Sequence, residues 1–210
     1  ESLKGSLEGI KVIDFSTLLP GPLASLFLAE TGADVIKIEK PDVGDEIRLS
    51  NPQWGEQSVS FSLLNRGKKS LSLDLKEPKN LKILMPILKE ADIIIEQFRP
   101  GVMKRLGLDY ESIKKINQDI IYVSITGYGQ YGPKSMVAGH DLNYIGNAGL
   151  LSISMGREND TVVPPALVAD IAGGSYPAVI NILLALRKRD LNKEGSYIDL
   201  SMTENLFPFM

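Results

Sequence analysis

The chain has 210 residues, of which 43% are hydrophobic and 23% are charged, and it carries a net charge of −3 at pH 7. A globular chain of this length can bury a sizeable core, either as one large domain or as two small ones. The slightly acidic balance excludes a global basic field of the kind that attracts nucleic acid or anionic membranes. The absence of cysteine excludes a disulfide framework, and a single histidine without cysteine argues against a zinc site.

Targeting and membrane segments are not expected from the sequence. No apolar run reaches the length of about 18 residues that a bilayer-spanning helix needs. The first residues also lack the apolar core of a signal peptide. We therefore expect an intracellular protein, cytoplasmic by default, that does not enter a membrane.

The chain begins with a pattern that predicts a βαβ unit. Residues 10–15 predict a strand, residues 23–32 a short helix closed by glycine, and residues 33–39 a second strand. The turn after the first strand lacks a Gly-x-Gly-x-x-Gly sequence, so the fingerprint that holds the pyrophosphate of a dinucleotide is missing. A nicotinamide-dependent enzyme is therefore not expected.

A polar loop follows and contains the single tryptophan, Trp54. Residues 41–57 are interpreted either as a mobile flap or as a surface excursion. Residues 61–64, a turn and residues 70–75 then predict a hairpin or a strand pair rich in lysine. The sequence Gly67-Lys68-Lys69-Ser70 resembles the end of a P-loop, but the earlier glycine of that motif is replaced by Ser62. A solvated turn is the better interpretation.

The rest of the chain alternates helices with apolar strands. An amphipathic helix begins at Pro78 and ends near residue 91, and a strongly apolar strand follows at 92–98. Short helices are predicted after residue 101 and at 111–116, and a further strand at 120–126 leads into a glycine-rich loop. Strands that are apolar on both faces and alternate with helices predict an α/β fold, a Rossmann-like, largely parallel sheet with helices on both faces.

Such a sheet binds ligands beyond the carboxyl ends of its strands. The loops after Glu39, Phe98 and Thr126 are therefore expected to meet in one crevice. Several basic side chains at or near these positions could hold phosphate groups: Lys40, Lys68, Lys69, Lys76, Arg99, Lys104 and Arg105. Each of them could equally be a solvated surface residue, and a binding module without catalysis predicts the same basic crevice.

Residues 136–177 are where the sequence places the chemistry. This stretch holds the single histidine, His140, followed by Asp141, and further on Asp170, each near small residues that allow a ligand to approach. An imidazole and a carboxylate are common groups for moving protons near neutral pH, so His140 and Asp170 could act as an acid–base pair. The alternatives are a structural histidine and, because an apolar helical run from Tyr176 follows, a helix N-cap at Asp170.

Several longer strings resemble one family. They are GPLASLFLAETGADVIKIEKP, LNRGKKSLSLDLK, EQFRPGVMKRLGLDYE, YVSITGYGQYGP, AGHDLNYIGNAGLL and PPALVADIAGG, and they run through nearly the whole chain. Together and in this order they resemble the class III CoA-transferase family, and within it most closely the α-methylacyl-CoA racemases. The resemblance implies an enzyme that acts on an acyl-CoA thioester and needs no cofactor besides the coenzyme A of its substrate, and no metal.

The resemblance also implies roles for individual residues. The racemases use the histidine and the aspartate that match His140 and Asp170 as two catalytic bases, whereas the transferases usually carry a tyrosine in place of the histidine and use the aspartate as a nucleophile. His140 therefore favours a racemase. Contacts to CoA or substrate are implied for Lys40, Leu73, Asp74, Leu75, Lys76, Ala91, Asp92, Ile93, Arg99, Arg105, Gly139, Asp141, Leu142, Asn143 and Tyr144.

The implied reaction inverts the α-carbon of a 2-methylacyl-CoA through an enolate, with one base on each face. We expect the backbone N–H groups at the start of the helix after Asp170 to stabilise the enolate oxygen, and Asp141 to orient the imidazole or bind substrate. We also expect burial to raise the pKa of Asp170, since this carboxyl must be protonated in one half-reaction. The alternative is a CoA-transferase that moves CoA between carboxylic acids with Asp170 as nucleophile.

The resemblance implies that residues 1–210 form the N-terminal, CoA-binding large domain. Family members continue into a small domain and a return segment, which we expect to be absent here, and a glutamate that partners the histidine would lie there. An interlocked homodimer is also implied. Lys40 stands where an arginine is common, and the loop at 41–60 is long, so the identity of the acyl group of the substrate stays open. The apolar ending at 206–210 predicts poor stability or unusual association of the chain when it is expressed alone.

Overall fold

A computed structural model describes residues 5–154, 156 and 160–210 of the chain, so residues 155 and 157–159 of the stretch singled out above lie outside the described residues. Its strands are β1 (Lys11–Asp14), β2 (Asp34–Glu39), β3 (Gln53–Trp54), β4 (Gln57–Ser58), β5 (Lys69–Ser72), β6 (Ile93–Glu96), β7 (Ile121–Thr126) and β8 (Ser196–Ser201). β3 and β4 form a small antiparallel ribbon, and the other six strands form one parallel sheet.

The six-stranded sheet has the order β5-β2-β1-β6-β7-β8. This is the strand order of doubly wound, dinucleotide-binding folds, in which the chain first winds outward from the central strand and then crosses to its other side. The reversal falls between β1 and β6, where Ile13 of one strand pairs with Ile94 of the other. Ligands bind at this point of such sheets, beyond the carboxyl ends of the strands.

Helices cover both faces of the sheet. They are α1 (Pro20–Glu30), α2 (Val59–Asn65), α3 (Pro78–Lys89), α4 (Val102–Leu106), α5 (Tyr110–Lys114), α6 (Asp141–Ala148), α7 (Tyr176–Asn192) and α8 (Leu206–Phe209). Short 3₁₀ helices lie at Glu46–Leu49 and Leu150–Ile153, and a π-helical turn at Ala169–Ser175 runs directly into α7.

Two hydrophobic cores, one on each face, hold these layers together. On one face α1, α6 and α7 pack against the sheet, with Leu28 and Ile182 buried against Val123. On the other face α3, α4 and α5 pack against side chains that alternate with these, such as Leu88 against Ile94. Strands buried on both faces lose the polar alternation of a solvated strand, which is why they read as continuous apolar runs. The predicted α/β fold, a largely parallel sheet with helices on both faces, is confirmed.

The region after β2 differs from the prediction. Residues 61–64 were expected to be a strand, but they belong to helix α2, whose N-terminus is capped by the hydroxyl of Ser58 accepting the N–H of Phe61 at 3.3 Å. A short apolar run cannot be assigned to a strand or a helix by periodicity alone, and here the N-cap at Ser58 favours the helix. β5 pairs in parallel with β2, so no hairpin forms. In the preceding loop, Trp54 lies on the β3–β4 ribbon and is 83% exposed.

One helical stretch is longer than the sequence suggested. Because the π-helical turn is continuous with α7, Ala169–Asn192 forms one helix that is long enough to cross a membrane and contains an apolar stretch of 18 residues with a mean hydropathy of 1.4. The expectation that no stretch reaches this length and composition was therefore wrong. The helix nevertheless packs against the sheet through Ala178, Ile182 and Leu186, and core helices of globular proteins have the same composition.

Candidate active site

Two cavities lie side by side at the carboxyl edge of the sheet. The first, of about 500 Å³, is lined by His140 and Asp170 among others and is called the His–Asp cavity below. The second, of about 480 Å³, is lined by Lys40, Lys76 and Arg105 among others and is called the basic cavity. Thr17 and Phe98, which follow β1 and β6, line both cavities. The two cavities therefore adjoin at the point where the strand order reverses.

His140 precedes α6, at the end of the loop that follows β7. Its backbone N–H donates to the side-chain oxygen of Asn143 at 2.9 Å, which closes the first turn of the helix. Tyr144, one turn further along, donates its hydroxyl hydrogen to the carbonyl of Gly139. A Cβ at Gly127 would lie 2.2 Å from the Tyr144 ring, so this residue must be glycine for the ring to pack here. The exposed His140 is thus carried on a fixed helix terminus.

Asp170 is in the first turn of the π-helix and is partly buried. Its backbone N–H donates at 2.9 Å to Oδ1 of Asp141, a buried residue of α6. Burial, and after it the carboxylate of Asp141, raise the pKa of Asp170 to about 7. The expected rise is confirmed, so near neutral pH this carboxyl exchanges a proton with little change in free energy.

The π-helix is fixed from both sides. A Cβ at Gly173 would lie 2.2 Å from the backbone oxygen of Met202, so only glycine allows the segment after β8 to approach the helix this closely. On the other side the hydroxyl of Ser175 donates to the carbonyl oxygen of Pro20 at 2.7 Å. These contacts set the position of Asp170 relative to the end of β8 and the start of α1.

Two expectations about this region need correction. Asp170 is not a helix N-cap, because the helix already begins at Ala169 and runs without interruption into α7. The first N–H groups of this helix are also already used: that of Asp170 donates to Asp141 and that of Ile171 to the carbonyl of Leu167. Asp141 therefore holds the Asp170 backbone, and these two N–H groups are not available to an enolate oxygen.

The basic cavity gathers residues from the carboxyl ends of four strands, β1, β2, β5 and β6. Lys40 follows β2, Lys76 lies beyond β5 with Leu73, Asp74 and Leu75, and Arg105 is on α4. Lys40 is exposed and pairs with Glu46 at 3.1 Å, an arrangement that is weak in water and leaves the ammonium free to rearrange. Acidic residues also line this cavity: Glu39 and Asp45, which are buried and paired with Arg48 and Lys37, and Glu46 and Asp74. The three exposed cations are the groups of the cavity suited to bind phosphate.

Other predicted basic residues lie elsewhere. The ammonium of Lys68 is buried and donates to the carbonyl of Pro22 at 2.8 Å, and burial lowers its pKa to about 8. Lys69 pairs with Asp34 on the neighbouring strand at 2.7 Å. Lys104 lines a third cavity, of about 370 Å³. None of these three lines the His–Asp cavity or the basic cavity.

Ala91, Asp92 and Ile93 were expected to contact the ligand, but the structure does not bring them to the site. They lie at the amino end of β6, whereas both cavities lie beyond its carboxyl end. Ala91 and Ile93 are buried in the cores, and the carboxylate of Asp92 accepts from Arg189 at 2.8 Å and from the N–H of Lys11 at 2.8 Å. We therefore place these three residues outside the site.

The remaining predicted residues divide between the cavity and its surroundings. Gly139, Asn143 and Tyr144 line the His–Asp cavity, whereas Leu142 is exposed on α6 and does not. Arg99 lines both the His–Asp cavity and the third cavity. Sequence reasoning missed Thr17, Leu18, Gln97 and Phe98, whose only signal was their place directly after β1 and β6.

Glu96, at the end of β6, is a further buried carboxyl near the site. It accepts the hydroxyl of Ser124 at 2.6 Å and the N–H of Phe98 at 2.8 Å, and burial raises its pKa to about 7. It lines the third cavity and not the His–Asp cavity. Within the described ranges, no group of three or more histidine, aspartate or glutamate side chains could hold a metal ion.

Comparison with known proteins places this geometry in context. Residues 7–210 match the family model described as CoA-transferase family III. The chain is 38% identical to the succinyl-CoA:glutarate CoA-transferase of Homo sapiens, over 93% of this chain and 45% of that protein. It is 36% identical to the alpha-methylacyl-CoA racemase of Homo sapiens, over 95% of this chain and 48% of that protein. Transferases and racemases are thus similar to this chain to about the same degree.

The fold agrees with a solved structure. A crystal structure of a CAIB/BAIF family protein from Brucella suis matches with a TM-score of 0.91 at 33% identity, over 97% of this chain and 55% of that one. The chain spans about half the length of the relatives it matches.

Proposed function

Because the chain belongs to CoA-transferase family III, we propose that it acts on an acyl-CoA thioester. The phosphates of CoA lie in the basic cavity against Lys40, Lys76 and Arg105, and the acyl end lies in the His–Asp cavity. Thr17 and Phe98 line both cavities, which supports a continuous path for the arm that joins the two ends of the substrate. In this proposal residues 1–210 form the CoA-binding large domain.

The reaction we propose is inversion of the α-carbon of a 2-methylacyl-CoA. One observation carries it: an exposed imidazole and a partly buried carboxyl with a pKa of about 7 line the same cavity. One of the two groups accepts the α-proton, and the electron pair of the broken C–H bond moves into the thioester carbonyl to give an enolate. The other group then donates a proton to the opposite face of the α-carbon, and the centre is inverted.

Each base must be able to hold or release a proton in either direction. An ordinary exposed carboxyl is ionised at neutral pH and is a poor proton donor, whereas Asp170, with its pKa of about 7, is found in both forms. Imidazole is the side chain most often used for proton transfer near neutral pH.

The enolate oxygen needs a donor. We assign this role to Asn143 and Arg99, which line the His–Asp cavity, in place of the helix N–H groups that are already used. Asn143 is held by the N–H of His140, which bonds its side-chain oxygen and leaves the amide NH₂ to donate. A positioned donor at the developing charge is worth several kcal/mol, typically about 3.

The alternative function is transfer of CoA between carboxylic acids. The chain is 38% identical to a CoA-transferase and 36% identical to a racemase, so sequence similarity supports the two functions to about the same degree. In this mechanism the Asp170 carboxylate attacks the thioester carbonyl, CoA leaves as the thiolate and a mixed anhydride forms. The thiolate then attacks the Asp170 carbonyl of the anhydride, which releases the first acid and leaves a thioester between Asp170 and CoA. The second acid takes CoA from this thioester by the same two steps in reverse. Asp170 must then be ionised to act, and His140 has no required role.

The test is incubation of one epimer of a 2-methylacyl-CoA with the protein in heavy water, following deuterium content by mass and configuration by chiral chromatography. The racemase proposal expects both deuterium gain and loss of configuration. His140→Ala and Asp170→Ala should each abolish the loss of configuration, because inversion needs a base on both faces, and the variant that lacks the base facing the α-proton should also lose deuterium gain. Lys104→Ala, a change on α4 outside the His–Asp cavity, is the matched control and should retain full activity.

Transfer is measured in parallel with a free carboxylic acid added as acceptor. Formation of a new acyl-CoA that survives His140→Ala but not Asp170→Ala, without deuterium gain, would replace the racemase by the transferase. Neither exchange nor transfer, in a protein shown to bind CoA, would contradict both functions.

A further inference from the structure

The turn after β1 is part of the wall that the two cavities have in common. Thr17 borders both cavities, and Leu18 borders the His–Asp cavity. Leu18 has a φ of 64°, in the left-handed region that residues with a side chain rarely adopt. Such a conformation persists only where the surrounding contacts hold it. The position of this wall therefore depends on what binds its backbone.

Asp45 and Lys37 supply those contacts. The carboxylate of Asp45 accepts the N–H of Leu18 at 3.1 and 3.2 Å and pairs with the ammonium of Lys37 at 2.9 Å. Lys37 in turn donates to the carbonyl oxygen of Ser16 at 2.7 Å. Asp45 is 0% and Lys37 1% exposed. The buried ammonium of Lys37 thus holds the carbonyl of Ser16, and the buried carboxylate of Asp45 holds the N–H of Leu18. These two groups lie on either side of Thr17.

Asp45 is equally fixed to the wall of the basic cavity. Together with Gly44 and Glu46 it lines that cavity, and its carboxylate caps the 3₁₀ helix by accepting the N–H of Ile47 at 3.1 Å. Its own N–H donates at 2.8 Å to Glu39, the last residue of β2. A ligand that packs against Gly44–Glu46 therefore touches the segment that holds Leu18.

We propose that Asp45, with Lys37 as its partner, positions the turn at residues 16–18 and couples occupancy of the basic cavity to the wall of the His–Asp cavity. The inference rests on the proposed function in taking CoA as the ligand of the basic cavity. Asp45 is a positioning residue, since its carboxylate bonds protein groups on every side: the Leu18 and Ile47 amides and the Lys37 ammonium. CoA binding restricts the segment at 44–46, and through Asp45 it orders the turn beside the reacting carbon.

The experiment is hydrogen–deuterium exchange of the backbone amides at residues 16–19, with and without saturating CoA. In the unmodified protein we expect CoA to slow this exchange at least tenfold. In Asp45→Asn the slowing should be less than twofold although CoA still binds, because the charge that holds Lys37 and the turn is gone. Asp42→Asn, an exposed carboxylate of the same loop, is the matched control and should respond as the unmodified protein does.

A second pair of variants keeps the test valid if Asp45→Asn does not fold. Removing one member of a buried ion pair leaves the other charge unpaired, whereas replacing both by apolar residues of similar volume is often tolerated. Lys37→Met combined with Asp45→Leu removes the acceptor for the Leu18 N–H together with both charges of the pair. The buried carboxylate of Asp14, which Lys37 also stabilises, keeps Lys68 as its cationic partner at 3.6 Å. It should show the same loss of coupling.

The catalytic readout separates positioning from general damage. In the proton-exchange assay Asp45→Asn should lower kcat at least tenfold and change KM less than threefold, since the CoA phosphates are bound by other residues. An equal response of the amides at 16–19 to CoA in Asp45→Asn and in the unmodified protein would overturn the inference. So would the absence of any response in the unmodified protein with CoA bound.

Failure of the proposed function has a different signature. If the unmodified protein does not bind CoA, the assignment of the basic cavity is wrong. The positioning of the turn is then judged by exchange without ligand, which should be at least tenfold faster at residues 16–19 in Asp45→Asn. Equal exchange in the two proteins would overturn the positioning role as well.

Discussion

Replacing Asp170 by asparagine removes a carboxyl whose ionised form the fold disfavours. Burial and the nearby carboxylate of Asp141 raise its pKa from an ordinary value of 3.8 to about 7. Between these two pH values the folded state holds a proton that the unfolded state has lost, so the free energy of unfolding falls as the pH rises through this window. Below this pH window the carboxyl is protonated in both the folded and the unfolded state, and above it the full loss of unfolding free energy persists.

The magnitude follows from the size of the pKa change. Each pKa unit corresponds to about 1.4 kcal/mol, so a carboxyl fully shielded from water would destabilise the fold by about 4 kcal/mol above pH 7. Because Asp170 is only partly buried, solvent screening reduces this to about 2 kcal/mol. Asp170→Asn should therefore be more stable than the unmodified protein by about 2 kcal/mol near pH 8 and equally stable near pH 4.

The assay is equilibrium unfolding in urea at a series of pH values between these limits. Glu96, whose pKa is also raised to about 7, contributes the same pH dependence to both proteins, so the difference between them isolates Asp170. Asp42→Asn, on an exposed loop, should show no such difference. A stability difference between Asp170→Asn and the unmodified protein that does not vary with pH would refute the reasoning, since it would mean that Asp170 is an ordinary hydrated carboxylate.

Two further substitutions test the packing and the ligand site. Gly173→Ala places a methyl group 2.2 Å from the backbone oxygen of Met202 and should lower the free energy of unfolding by about 2 kcal/mol. Gly146→Ala, with open space around it, should leave thermal unfolding unchanged or raise its midpoint, and similar behaviour of the two variants would contradict the close approach. Arg105→Ala should raise the dissociation constant of CoA about tenfold by titration calorimetry. Lys104→Ala, on the same helix but lining a different cavity, should change it less than twofold, and equal losses would argue against the basic cavity as the phosphate site.

The core strands were predictable because they are apolar on both faces. Residues 93–95 and 121–123 are fully buried, and the runs that contain them are short and alternate with helices, which favours central strands over buried helices. β2 was less informative, since Lys37 and Glu39 alternate with apolar residues as they would in a half-solvated strand. Both are buried, because Asp45 and Arg48 from the following loop pair with them. These ion pairs form only because the loop folds back onto the strand that precedes it, and no short stretch of sequence indicates that it does so.

The site was predictable to the extent that it follows from the sheet. The rule that ligands lie beyond the carboxyl ends of parallel strands brought Lys40, Arg105 and His140 to one edge, where the structure places them. The same rule would have excluded Asp92, which precedes β6 and lies at the other edge. Leu18 could not have been predicted, because its left-handed backbone is imposed by Asp45 from a distant part of the chain.

The π-helical turn that carries Asp170 makes the length of this segment a determinant of which way the carboxyl faces. An α-helix turns about 100° per residue, and the i→i+5 hydrogen bonds of a π-helical turn hold one more residue per turn than the i→i+4 bonds of an α-helix. The segment Ala169–Ser175 therefore accommodates an additional residue, so that Asp170 faces the cavity while Ala178 and Ile182 face the core. The π-helical turn thus lets one continuous helix meet two requirements: its C-terminal part packs in the core, and its first turn directs the Asp170 carboxyl into the cavity.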